Sequence, residues 1–464
     1  MKNHFMERLK NNGLPYMQND TQWVLTVPAI WNDQEKQFMR KAAEKAGILA
    51  DKLLLALEPE AAAIYCNQLS LNQLEIQGDD GKLIYVAAPG STVMVVDLGG
   101  GTVDVTTVKI GIDGSMKQVY ESSGDDCGGM QVNAKFIYLL HEIIGVDIWE
   151  EFASNEKQDE HELSRDFEQK KREIGVKNDS EEKFFVLFPT TLKETWEKRS
   201  HQTVEENLKC LSGRLKGRVK FASSRLHFDV DLIKECFQDS ISSILNKIKD
   251  AHRQLPERES LDAVILVGGF AQSDFLITQV RAGLQNLRIP VVRPESPELA
   301  VLLGGVLFGH NANIITSRVL RYTYGIGIIV DFIADKHDEV LKFEAPDGNF
   351  YVSNVFEKHA ERGQKVRINE WTKPMDYCVD EREQTKTEVY IYISEEKSPM
   401  FTNEDGCKCL GILNVDFSEN GRLGSDTRRN KSIEVSLCFG GTEIKVRAID
   451  KTSRHEYKTN LHLI

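Results

Sequence analysis

Apolar residues run unbroken through Val93-Met94-Val95-Val96, stop at Asp97, and return in alternation at Val103, Val105 and Val108. The first run reads as a buried strand and the second as a half-buried one, with Gly99-Gly100-Gly101-Thr102 as the tight turn of a hairpin. Upstream, the pattern predicts a strand over 23–27. A helix follows Asn32 through Phe38, Met39, Ala42, Ala43 and Ala46, with Glu35 completing a capping box and Gly47 as its stop. A second strand over 53–57 leads into a helix over 60–69, with Pro59 in its first turn. A polar loop over 72–90 precedes the glycine hairpin.

Downstream, apolar spacing predicts helices over 132–144 and 232–248. The charged stretch 155–183 suits an exposed helix over 156–173, and 184–230 mixes short strands and helices. A strand over 263–267 ends in Gly268-Gly269, followed by a helix to about residue 287. A short strand over 289–292 and a small-residue-rich helix over 298–308 come next. Strands alternating with helices indicate an α/β sheet domain. After about Ser317 the pattern changes to strands over 389–393, 412–417, 433–439 and 444–448, the last two around a Gly440-Gly441 turn, which reads as a β domain of hairpins. The expected division is 1–316 and 317–464.

Glycines let a backbone approach a ligand closely, and successive amides in such a turn form a concave anion site. A carboxylate beside that nest suits hydrated Mg²⁺, which takes only one or two protein carboxylates. The hairpin therefore reads as a phosphate-and-metal turn, with a ligand-free glycine hairpin as the competing reading. The 464 residues leave room for roughly three domains at about 150 residues each. The net charge of -13 argues against nucleic acid as a partner. No stretch is long and apolar enough to span a membrane. The eight cysteines lack metal-ligand spacing and the start of the chain lacks a secretory pattern, which together read as reduced thiols in a cytoplasmic protein.

Three motifs converge: Glu58 before Pro59-Glu60-Ala61-Ala62-Ala63, Asp97 before the triple glycine, and Gly268-Gly269 after a late strand. With Thr26-Val27-Pro28-Ala29-Ile30-Trp31, their order resembles the 70-kDa heat-shock protein family, which shares an actin-like (ribonuclease H-like) ATPase fold with actin and sugar kinases. The tail resembles that family's β substrate-binding domain at Tyr324-Gly325-Ile326-Gly327 and Leu413-Asn414-Val415. Gly268-Gly269-Phe270-Ala271 and Phe439-Gly440-Gly441-Thr442 are similar to the divergent heat shock 70 kDa protein 12 group.

The resemblance implies binding of ATP or ADP with Mg²⁺, a role in stress response, and chaperone-like contact of the β domain with protein clients or signalling partners. Gly99, Gly100, Gly101 and Thr102 would hold the β- and γ-phosphates. Asp97 would face Mg²⁺ through water, and Asp104 would support cation binding. Glu58 would orient or deprotonate the attacking water; a carboxylate placed at a helix start for the dipole is the alternative. Gly268, Gly269 and Phe270 would lie against adenosine. Glu168, Lys171 and Arg172 match the adenosine-clasping helix, at a spacing that also suits a solvated charged face.

The chain departs from the pattern in several places. It opens just before Thr21-Gln22-Trp23-Val24, so the family's first glycine turn and its phosphate-contacting lysine are expected to be absent and the first lobe incomplete. Losing such contacts, at about 1.5–3 kcal/mol each, implies weak nucleotide binding and little or no hydrolysis. Phe270 and Gln272 replace a hydroxyl residue and an adenine-stacking arginine. The usual acidic linker and helical lid are not evident. A scaffold with a vestigial nucleotide site and a sugar kinase of the same superfold are the alternative functions.

Overall fold

The computed structural model describes residues 2–14, 20–69, 74–76, 88–175, 184–346, 348–378, 386–417, 432–439, 441–451 and 453–460. Most of the loop expected over 72–90 and Gly440 of the Gly440-Gly441 turn lie outside the described residues.

The fold is mixed α/β, organised on an eight-stranded sheet. Its strands run in the order Lys365–Arg367, Ile315–Val319, Met116–Asp125, Val103–Ile110, Thr92–Leu98, Ala263–Val267, Val291–Pro294 and Leu74–Ile76. The glycine hairpin sits near the middle, antiparallel from Thr92↔Lys109 to Leu98↔Val103. Thr92–Leu98 also pairs in parallel with Ala263–Val267, placing Val267 beside Asp97. Successive side chains leave a strand on opposite faces, which explains the unbroken apolar run. Met94, Val96 and Leu98 enter a core with the helices Gly129–Ile144, Gln238–Arg253 and Asp274–Leu284. Val93 and Val95 enter a second core with the helices Glu58–Cys66 and Ala300–His310. Both faces are covered, so no polar alternation is needed.

Those last two helices pack almost backbone to backbone. A Cβ on Gly304 would collide with the Ala61 carbonyl, so the alanines and glycines of the two segments set their approach. Strands Trp23–Val27 and Leu53–Leu57 form a separate parallel pair, joined by the helix Asp33–Lys45, whose Asn32–Glu35 capping box is formed as expected.

The structure differs from the sequence reading at several element ends. The helix expected over 60–69 is Glu58–Cys66, so Glu58 itself occupies the first turn. The strand expected over 289–292 is Val291–Pro294. The helix expected over 232–248 is two, Val230–Glu235 and Gln238–Arg253. Between them Cys236 and Phe237 donate to carbonyls three residues back, a tightened turn that leaves Phe237 fully buried. The charged helix Lys157–Lys170 is not wholly exposed, because Leu163 and Phe167 are buried on its inner side.

Strand Ile315–Val319, second from one edge of the large sheet, carries the chain into two antiparallel sheets. One has five strands, Lys342–Glu344, Phe350–Ala360, Thr323–Asp331, Lys386–Ser394 and Cys407–Asp416; the other has four, Met375–Cys378, Ser432–Cys438, Lys445–Asp450 and Glu456–Asn460. Val389, Ile391 and Ile393 from the first meet Ile433, Val435 and Leu437 from the second in one core. All eight cysteines are free. Among the described residues, no helix is long and apolar enough to cross a membrane.

Candidate functional site

The glycine turn is held from behind. Gly99 donates to the Thr102 carbonyl at 3.0 Å, closing the bend. The amides of Gly128, Gly129 and Met130 donate to the carbonyls of Gly101, Gly99 and Gly100. These are the N-terminal amides of the helix Gly129–Ile144, which has no side-chain cap; the turn's carbonyls serve as the cap. Gly128 permits that contact, since a Cβ there would lie 2.6 and 2.7 Å from the Gly100 and Gly99 oxygens. With their carbonyls engaged, Gly100 and Gly101 have amides without a backbone partner among the described residues. Both glycines face open space where a Cβ would stand.

Three carboxylates gather on one face of the sheet at this end. Asp97 and Asp104 are directly opposed in the hairpin, and alternation puts both on the side of Val93, Val95 and the Glu58 helix. Asp104 accepts from the Ile30 amide and the Thr102 hydroxyl, each at 2.9 Å. The Thr102 hydroxyl is thus committed to Asp104. No hydrogen-bond partner is found for the Asp97 carboxyl among the described residues. Burial, then the charges of Glu58 and Asp104, push Asp97 up to about 8. Burial, then Asp104, push Glu58 up to about 7. Asp104 is also raised, by burial, although its hydrogen bonds and the charge of Arg321 oppose the rise.

Gly268 lies against this cluster. Its φ is +92°, a conformation that favours glycine, and a Cβ would strike the Asp97 carboxylate and lie 2.5 Å from the Leu98 carbonyl. Gly269 faces open space.

On the far wall, Glu168, Lys171 and Arg172 are brought together. Lys171, buried at 2 % exposure, donates to Glu168, to the Asn133 side chain and to the Gly129 carbonyl. Arg172 bridges Glu168 and Gln272, each at 2.9 Å. Burial pulls Lys171 down. Burial would raise Glu168, but its bonds from Lys171, Asn133 and Arg172 hold it below its ordinary value. Phe270 is buried and stacked on Phe237 at 6.0 Å, so its ring faces the core and not an open cleft.

The sequence reading missed Gly128-Gly129 and the Ile30 amide. A double glycine between a strand and an apolar-periodic helix was the available signal for the first; nothing local marks the second.

The residues present fit a magnesium-bound polyphosphate. Two open amides suit an anion, and buried carboxyls raised chiefly by desolvation would regain charge beside a cation. Among the described residues no three His, Cys, Asp or Glu side chains could hold a metal as a group. Contact through water, as Mg²⁺ prefers, is the mode that suits this donor set.

A family model described as Hsp70 protein matches residues 1–287. The chain is 29% identical to human heat shock 70 kDa protein 12A over 499 residues, covering 97% of this chain and 72% of the relative. It is 29% identical to human heat shock 70 kDa protein 12B over 513 residues, covering 100% and 74%. It is 27% identical to the chaperone protein dnaK of Cyanidium caldarium over 316 residues, covering 66% and 42%.

Proposed function

Because this chain belongs to the Hsp70 family, we propose that it binds ATP or ADP with Mg²⁺ at the glycine turn, hydrolyses ATP slowly, and uses its β half to contact other proteins. One observation carries the reading: the turn's carbonyls are tied to a helix N-terminus while the Gly100 and Gly101 amides stay open, beside Asp97, Asp104 and Glu58. In this reading the Gly100, Gly101 and Thr102 backbone cradles the phosphates, while Gly99, bonded to the Thr102 carbonyl, closes the bend beneath them. Asp97 and Asp104 hold the waters of the cation, which would supply charge neutralisation at the phosphates. Glu58, titrating near 7, is matched to orienting a water or taking its proton at neutral pH. Gly269 faces open space that suits adenosine, with Gly268 packed on Asp97 beside it, and Glu168, Lys171 and Arg172 close over it. Phe270 supports that wall from within the core.

Slow turnover follows from charge. Phosphoryl transfer depends on positioning and charge stabilisation, and no cationic side chain pairs with the turn or with Glu58 or Asp97 among the described residues. Calorimetric titration of ADP with Mg²⁺ tests the reading. Saturable binding is expected, weakened at least about tenfold, or 1.4 kcal/mol, by Gly100→Val. That side chain enters open space and should leave the melting temperature unchanged. Binding of full strength in the variant would remove the turn from the site, and no heat from the intact protein would favour the scaffold reading.

For partner contact, the segment between strands Thr323–Asp331 and Lys342–Glu344 exposes Ile333, Val340 and Leu341. Val340 is 87% exposed. Apolar peptide segments suit such a patch. Val340→Asp should weaken capture of an apolar peptide several-fold by fluorescence anisotropy; an unchanged affinity would place partner contact elsewhere.

A further inference from the structure

We propose that Arg321, from the segment entering the β half, is a positioning residue for Asp104 and acts through the Ile30 peptide. The inference rests on the nucleotide-site reading above.

Two of the donors that hold Asp104 come from different parts of the chain. Thr102 belongs to the same hairpin, whereas Ile30 lies in the loop between strand Trp23–Val27 and helix Asp33–Lys45. Within that loop Trp31 donates back to Pro28, and Ile30 packs so closely on Gly124 that a Cβ there would strike its side chain. Gly124 is the residue opposite Asp104 on the neighbouring strand. Ile30 is thus pressed over the Asp104 position, with its N–H on the carboxylate. Its carbonyl accepts from the Arg321 guanidinium. One residue therefore carries a hydrogen bond from the β half at one end and a hydrogen bond to a site carboxylate at the other.

Arg321 works from a fixed base. Three residues earlier, Arg318 grips buried Glu60 at 2.8 and 2.6 Å and also donates to the Gly441 carbonyl. Three residues later, Tyr324 is buried, and the Arg321 guanidinium lies over the Tyr322 ring at 5.4 Å. Beside it a cavity of about 90 Å³ is lined by Trp31, Arg321, Tyr322 and Phe439. Packing alone does not lock the guanidinium there, so the bond to Ile30 sets its place. A hydrogen bond from a charged donor is stronger and more directional than a neutral one, which suits it to hold a loop peptide in register.

The test uses the full chain with Arg321→Met and Arg321→Lys. Hydrogen exchange over residues 28–31 reports the loop, and calorimetry of ADP with and without Mg²⁺ reports the site. In Arg321→Met the Ile30 amide should exchange at least about tenfold faster. The gain in ADP affinity that Mg²⁺ confers should fall about fivefold while metal-free ADP binding holds. Arg321→Lys, which keeps a cationic donor, should recover most of both. Wild-type exchange at Ile30, or equal loss of ADP binding with and without Mg²⁺, would overturn the proposal. If the intact protein binds no ADP, the nucleotide reading fails by itself, and exchange at Ile30 still decides the link from Arg321.

Discussion

Arg318→Met is expected to destabilise the protein by about 3–5 kcal/mol, read as a lower urea midpoint at an unchanged slope. The pair it breaks is deeply placed: Glu60 is 1% exposed and Arg318 8%, with two parallel hydrogen bonds between them. The variant leaves a carboxylate without its cation inside the fold, and that uncompensated charge is the main cost. The double variant Glu60→Leu with Arg318→Met should recover most of the loss, because an apolar pair of similar volume often replaces a buried ion pair without penalty. A loss below about 1 kcal/mol in Arg318→Met, the range of an exposed pair, would mean that water reaches Glu60. The pair has a further consequence for the site. Glu60 lies two residues beyond Glu58 on one buried helix, so the junction with the β half also fixes the register of that carboxylate.

Asp97→Asn should stabilise the nucleotide-free, metal-free protein at pH 8–9 by on the order of 2–4 kcal/mol, and leave it nearly unchanged at pH 4. The Asp97 carboxyl is raised to about 8 by burial and by Glu58 and Asp104, well above its ordinary value. A group raised on folding contributes fully below its unfolded pKa. That contribution fades as pH climbs toward the folded pKa, because the unfolded chain ionises first. Asparagine has no such loss, so the difference between the two proteins should widen from about pH 4 to pH 8. Urea titrations across that interval in chelator-treated buffer measure it. A difference that stays flat with pH would show that Asp97 is well solvated or paired. The same substitution should weaken magnesium-dependent nucleotide binding, so stability and binding should move in opposite directions, as expected of strain kept at a binding site.

The parts of this fold legible in the sequence are those governed by local periodicity. The glycine hairpin was readable because Val93 to Val96 is covered on both faces and the turn glycines interrupt it. The strand Ser432–Cys438 was readable because Ile433, Val435 and Leu437 recur at every second position, and all three are buried. Asn32 and Glu35 announced their helix by chemistry confined to one turn. What escaped detection depends on contacts between distant segments. Glu60 and Arg318 are 258 residues apart, and Glu60 alone looks like an ordinary helix-start acid. The helix break at Cys236 and Phe237 was hidden because apolar spacing continues through it, and only burial of Phe237 distinguishes the two halves. In the sequence Phe270 reads as an adenosine contact because, with Gln272, it replaces a hydroxyl residue and an adenine-stacking arginine, yet its ring packs in the core against Phe237.

The claim on which the account depends is that the open amides of the glycine turn receive phosphate beside Asp97. A crystal structure of the chain with ADP and Mg²⁺ measures this directly. The account predicts phosphate oxygens about 2.7–3.2 Å from the Gly100 and Gly101 nitrogens, with a hydrated cation between them and Asp97. Nucleotide bound elsewhere, or the turn amides still facing solvent beside a bound nucleotide, would contradict it.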